Sequence, residues 1–221
     1  MYYLEFKDRL FIIETIQELE RIIAINNVQC IRFRPRIPTD KYYIIIKSDN
    51  GCYSSIGQIT GVQMDRVVSL EDPRCLTKAI IMHELIHTLG FYHEQARPDR
   101  DNYVRVNFSN IRAGQEHNFE KYKNSYVDTL GTPYDYLSIM HYGKYDFSSN
   151  GFPTIESITP NVDIGENFNL SSIDIYEIRL FYNCSLTGIT LPTTTSGLVT
   201  FIRKTKPNRD IFSCFFLFLL S

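Results

Sequence analysis

The stretch His83-Glu84-Leu85-Ile86-His87-Thr88-Leu89-Gly90-Phe91-Tyr92-His93-Glu94 decides how the chain is read. His83 and His87 are four apart, so on a helix they share one face. Two imidazoles there can hold one tetrahedral metal ion. Glu84 is rotated off that face and can reach a water on the metal. Gly90 allows a backbone with φ > 0, which ends the helix and brings His93 back as a third ligand. Three protein ligands leave one position open, the pattern of catalytic zinc. A bare H-E-x-x-H arises by chance in unrelated chains, but the extension to H-E-x-x-H-x-x-G-x-x-H fixes five positions and is far more specific.

Around this stretch the chain has 221 residues, enough for one medium domain or two small lobes. A net charge of −2 argues against a nucleic-acid or anionic-membrane partner held by bulk charge. The five cysteines (Cys30, Cys52, Cys75, Cys184 and Cys214) include no C-x-x-C pair, which makes a zinc ribbon or thioredoxin-like motif a poor explanation. Their wide spacing suits disulfides in an oxidising compartment. Sequons at Asn107, Asn169 and Asn183 are compatible with secretion and glycosylation. The first residues show no basic start followed by an apolar run, so the N-terminus reads as incomplete.

Asp8 can cap a helix over residues 9–25, in which Ile12, Ile16, Leu19 and Ile23 recur at helical spacing. Cys30 to Arg34, Tyr42 to Lys47 and Val67 to Leu70 read as strands, the second apolar on both faces and therefore central. Leu76 to Leu89 is the helix of the first two histidines. Beyond His93 the chain is irregular, with a short helix near Asn110–Phe119. Ser171 or Ser172 then caps a final helix that ends at Cys184. This gives an upper lobe of sheet and helices, an irregular lower lobe, and the histidines at their junction. Residues 187–210 form a Thr- and Pro-containing linker. Residues 211–221 form an apolar tail, too short to span a bilayer as a helix but loosely fitting a lipid-anchor signal.

Downstream stands Tyr134-Asp135-Tyr136-Leu137-Ser138-Ile139-Met140-His141-Tyr142. With the histidine motif, this resembles the astacin family of metzincin endopeptidases. Further segments match in order: Cys30-Ile31-Arg32-Phe33, Gly51-Cys52-Tyr53-Ser54, Val68-Ser69-Leu70, Arg97-Pro98-Asp99-Arg100-Asp101 and Tyr182-Asn183-Cys184. The resemblance covers about residues 8–185, and the domain is placed at 1–186.

The resemblance implies an α+β zincin-like (metzincin) domain: a twisted mixed sheet with two helices above, an irregular lobe ending in a helix below, and the active-site cleft between. It implies a secreted, monomeric zinc metalloendopeptidase with one catalytic Zn2+, acting on internal bonds of extracellular proteins or peptides. His83, His87 and His93 match the zinc ligands. Glu84 matches the base that activates the zinc-bound water. Tyr142 matches the tyrosine that ligates resting zinc and then assists the oxyanion. Met140 matches an apolar floor beneath the imidazoles. His141 is not implied as a ligand, and His117 reads as a surface histidine. The implied disulfides are Cys30–Cys184 and Cys52–Cys75, with Cys214 unpaired.

Three departures stand out. The family's strand before the first helix is not found here, so Glu94 is expected to have lost its usual partner. A propeptide is likewise not found. Met64-Asp65-Arg66 reads as a short insertion near the edge strand on which substrate would lie. The alternative to an active enzyme is a catalytically impaired zinc-binding remnant.

Overall fold

The computed structural model describes residues 4–40, 42–57, 66–165 and 168–184, and residues 214–220 as backbone. The first helix, α1 (Phe6–Ile23), starts three residues before the sequence reading. Glu5, not Asp8, is its cap, because Asp8 at the third helical position accepts the Glu5 N–H and completes a reciprocal capping box. Ile12, Ile16, Leu19 and Ile23 are each no more than 2% exposed, at spacings of four, three and four. Each such burial contributes about 1.5–3 kcal/mol. At its far end, Arg179 donates to the carbonyls of Ile22, Ile23 and Ala24, satisfying acceptors the helix leaves open.

Among the described residues, four strands precede the histidine helix: β1 (Ile31–Pro35), β2 (Ile44–Lys47), β3 (Cys52–Ser54) and β4 (Arg66–Leu70). Next come α2 (Lys78–Thr88), β5 (Val104–Val106), β6 (Ile155–Ser157), α3 (Ser172–Phe181) and β7 (Cys214–Leu220). The central sheet has the order β1-β7-β2-β4-β3, parallel throughout except for β3 against β4. β2 is central, as its two apolar faces require. β5 and β6 form a separate antiparallel pair.

Two apolar clusters correspond to the two lobes. One joins α1, the sheet, α2 and Ile178 of α3, and includes Ile139 and Met140. The other is built from Val104, Ile111, Phe119, Tyr134, Ile155 and Ile164. Cys30–Cys184 and Cys52–Cys75 are disulfide-bonded, with Cα separations of 5.5 and 5.6 Å.

The structure departs from the sequence reading beyond α1 as well. The helix expected near Asn110–Phe119 is two short 3-10 turns, Phe108–Asn110 and Glu116–Phe119, separated by an extended bridge from Ile111 to Ser148. Gly114, at φ +83, lies between them and cannot continue a helix. The apolar tail, read as an appendage, supplies β7 inside the sheet. The insertion read at Met64-Asp65-Arg66 falls mainly outside the described residues, Arg66 alone being placed at the start of β4. The linker read at 187–210 lies outside them altogether. Among the described residues no helix is long and apolar enough to cross a membrane.

Candidate active site

Helix α2 is capped by Thr77, whose side chain accepts the Ile80 N–H. It buries Ile81, Met82, Leu85 and Ile86. Its last turn closes as a Schellman motif. The Gly90 N–H donates to His87 O and the Phe91 N–H to Ile86 O, with Gly90 at φ +104. Only glycine adopts that φ cheaply, and the reversal it permits returns His93 to the helix face.

The result is a convergence of three ring nitrogens. His93 Nε2 lies 3.2 Å from His87 Nε2 and 3.3 Å from His83 Nε2. Nitrogens bound tetrahedrally at about 2.0–2.1 Å from one zinc ion would stand about 3.3 Å apart. The far sides of two rings are already fixed. His83 Nδ1 bonds Ile139 O at 2.8 Å and His87 Nδ1 bonds Phe91 O at 2.7 Å. Since a carbonyl only accepts, Nδ1 carries the proton in both rings, and Nε2 presents a lone pair inward. Burial pushes all three imidazoles below their ordinary pKa, His87 to about 3, so the rings are neutral and ready to ligate. Lone pairs facing one another call for a cation, and the donor set suits Zn2+.

Glu84 is buried and its Oε2 has no hydrogen-bond partner among the described protein groups. Burial pushes its carboxyl up to about 8. Glu84 directly follows His83 on α2, and in its ionised form its uncommitted oxygen can take a proton from a water at the cluster. The Tyr142 ring packs 4.6 Å from the His93 ring, centroid to centroid. Burial first, then the negative charges of Asp146 and Glu84, raise its phenol to about 12, so it stays a hydrogen-bond donor. Met140 is 3% exposed and shares the upper core with Leu85 and Ile86. His141 bonds Tyr134 Oη and Tyr142 O and stands outside the cluster, while His117 is exposed.

Glu94 corrects one expectation. Its carboxylate is not left alone. Arg97 Nη1 stands 3.2 Å from Oε1, and the Asp135 N–H donates to the same oxygen at 2.8 Å. Arg97 is held in turn by Asp99 and by the carbonyls of Thr132 and Pro133. Burial still outweighs the guanidinium and pushes Glu94 up to about 8.

Sequence reasoning passed over two positioning groups. Asp174 accepts from Ser138 Oγ and from the Ile139 N–H, and the Ile139 carbonyl is the one that orients His83. Its signal was the Ser171-x-x-Asp174 pattern, which is a capping box at the start of α3. Gln95, wholly buried, accepts the Tyr142 N–H through Oε1. Nothing local in the sequence marked it.

Three histidine nitrogens around a cation-sized gap, with a buried acid beside them, define the zinc-peptidase class of site. Comparison with known proteins agrees. The profile of the astacin peptidase family matches residues 5–183. Zinc metalloproteinase nas-13 of Caenorhabditis elegans is 49% identical over 176 residues, 79% of this chain and 38% of that protein. High choriolytic enzyme 2 of Oryzias latipes is 46% identical over 164 residues, 73% of this chain and 56% of that protein. The solved structure of high choriolytic enzyme 1, a hatching enzyme zinc-protease of the same fish, aligns with a TM-score of 0.69 at 41% identity, covering 79% of this chain and 84% of that one. The chain belongs to the astacin family. It spans about two fifths of the length of the first of these curated relatives.

Proposed function

We propose that the chain is a zinc-dependent endopeptidase that hydrolyses internal peptide bonds of extracellular proteins. The observation that carries this is the convergence of the Nε2 atoms of His83, His87 and His93, with the partnerless oxygen of Glu84 on the residue next to His83. His83, His87 and His93 hold the ion. When bound, Zn2+ supplies Lewis acidity and lowers the pKa of water. Glu84 takes the proton of the attacking water and passes it to the leaving amine. Tyr142 donates a hydrogen bond to the oxyanion as it develops. The ring contact with His93 holds that phenol at the site before substrate arrives.

Two disulfides support an oxidising, extracellular setting. If glycans are added there, Asn169 and Asn183 are the exposed acceptors. The Asn107 amide is committed to Pro153 O and Glu156.

The test is metal content together with cleavage of a quenched peptide, before and after chelation. One zinc per chain, activity lost on chelation and restored by zinc, is the expected result. Full zinc with no cleavage of any peptide in a broad library would return the impaired, zinc-binding reading.

A further inference from the structure

His83 and His87 are each aimed twice, by the helix that carries them and by a carbonyl on Nδ1. His93 lacks the second hold. Among the described residues no carbonyl bonds its Nδ1, and its hydrogen-bond contacts are those of Nε2 within the cluster. Its aim rests on its backbone and on the Tyr142 ring beside it. On the C-terminal side that backbone is fixed, because the Glu94 N–H donates to Met140 O at 3.0 Å. On the N-terminal side it depends on the turn Leu89-Gly90-Phe91.

A helix leaves its last carbonyls without helical partners. The Schellman bonds satisfy those of Ile86 and His87, and the Gly57 N–H donates to His87 O as well, at 2.9 Å. Leu89 O lies beyond these bonds. In a continued helix its donor would be the His93 N–H, but Gly90 reverses the chain first. Leu89 is 1% exposed, so its carbonyl needs a protein donor. Tyr182 supplies one from far along the chain, its Oη donating to Leu89 O at 2.8 Å.

Phe181, the last residue of α3, touches the other two residues of the turn. Its ring meets that of Phe91 edge to face, 5.6 Å between centroids. A Cβ built on Gly90 would lie 3.8 Å from Phe181 Cε1. Phe91 is itself the residue whose carbonyl orients His87. The whole turn is therefore held by two adjacent aromatic residues. Their own position is fixed. The Tyr182 N–H donates to Ile178 O, Arg179 grips the end of α1, and Cys184 is disulfide-bonded to Cys30.

We propose that Tyr182 is a positioning residue of the metal site: its hydroxyl holds the Leu89 carbonyl so that the Gly90 reversal delivers His93 to the ion. This rests on the zinc-peptidase reading. Tyr182 acts through the turn, and its loss weakens the third ligand rather than the first two.

Tyr182→Phe deletes the hydroxyl and keeps the ring. On the full chain, chelator competition should show the zinc dissociation constant raised about tenfold, as for other groups that orient ligands from behind. With Co2+ in place of zinc, the visible bands should change in position or intensity, because they report ligand geometry. A merely structural role gives a different result: the metal-free chain melts lower, while zinc affinity and the cobalt spectrum match wild type. That result overturns the proposal. Neither measurement uses a substrate, so failure here is separate from failure of the peptidase reading, which peptide cleavage decides. Should Tyr182→Phe fail to fold, Phe181→Leu takes its place. Phe181 is 43% exposed, so shortening it spares the core while loosening the contacts on Gly90 and Phe91. Weaker zinc binding is expected there too, and unchanged affinity would overturn the proposal.

Discussion

Gly165 packs so closely on Tyr142 that a Cβ built on it would overlap the Tyr142 carbonyl group. Gly165 also sits at φ +67, where any other residue is strained. The backbone that carries Tyr142 is thus braced by Gly165 on one side and by Gln95, which accepts its N–H, on another. Gly165→Ala must push the Tyr142 segment aside. Strain and overlap together should cost about 2–4 kcal/mol. The expected outcome is a lowered Tm, and a kcat reduced at least tenfold while zinc content holds. Calorimetry, metal analysis and peptide kinetics on the same preparation check it. A variant with unchanged Tm and kcat would show that this brace is not needed.

Glu84→Gln keeps the shape of the side chain and removes its basicity. Turnover of a quenched peptide should fall by about 10²–10⁴. Zinc content should stay at the wild-type level, because the three imidazoles are oriented without Glu84. Metal analysis beside steady-state kinetics reads both. Retained turnover would remove Glu84 from the mechanism.

Tyr142→Phe deletes one hydroxyl and keeps the ring that packs on His93. Loss of one oxyanion donor costs about 10²-fold in kcat. KM and zinc affinity should change far less than kcat. Parallel losses of zinc and activity would instead mark the phenol as a metal ligand alone.

A pH dependence of stability follows from Glu177. Burial, opposed by the Thr132 hydroxyl and Arg97, pushes its carboxyl up from 4.5 to about 7. The folded chain therefore binds this proton more tightly than the unfolded chain. Below pH 4.5 both states are protonated and the group is neutral to stability. Between pH 4.5 and 7 stability falls as pH rises, and above 7 the full penalty stands. At 1.36 kcal/mol per pH unit this amounts to about 3 kcal/mol. Glu177→Gln should match wild type near pH 4.5 and exceed it at about pH 8. Denaturant melts across that range give the difference, and two parallel curves would contradict it.

The zinc cluster was legible because its information is local. His83 and His87 need only a helical turn, and Gly90 announces the reversal that returns His93. α1 was legible for the same reason, with error confined to the cap, where Glu5 and Asp8 exchange hydrogen bonds. Long-range pairing was opaque. Asp174 reaches Ser138 and Ile139 across more than thirty residues, and no periodicity reports such a bond. Arg97 was visible as part of a motif, but its bond to Glu94 depends on a 3-10 turn that carries no apolar pattern. β7 was opaque in the extreme, since a short apolar run has no feature that names its neighbours in a parallel sheet.

The register of β7 also fixes when the sheet can form. Ile31 meets Cys214 across nearly the whole chain, a contact of very high sequence separation. A ribosome exposes β1, β2 and both disulfide-forming halves of the upper lobe long before it releases Leu220. Pairing at that separation is slow to form, because the loop-closure cost falls due before the contacts that repay it.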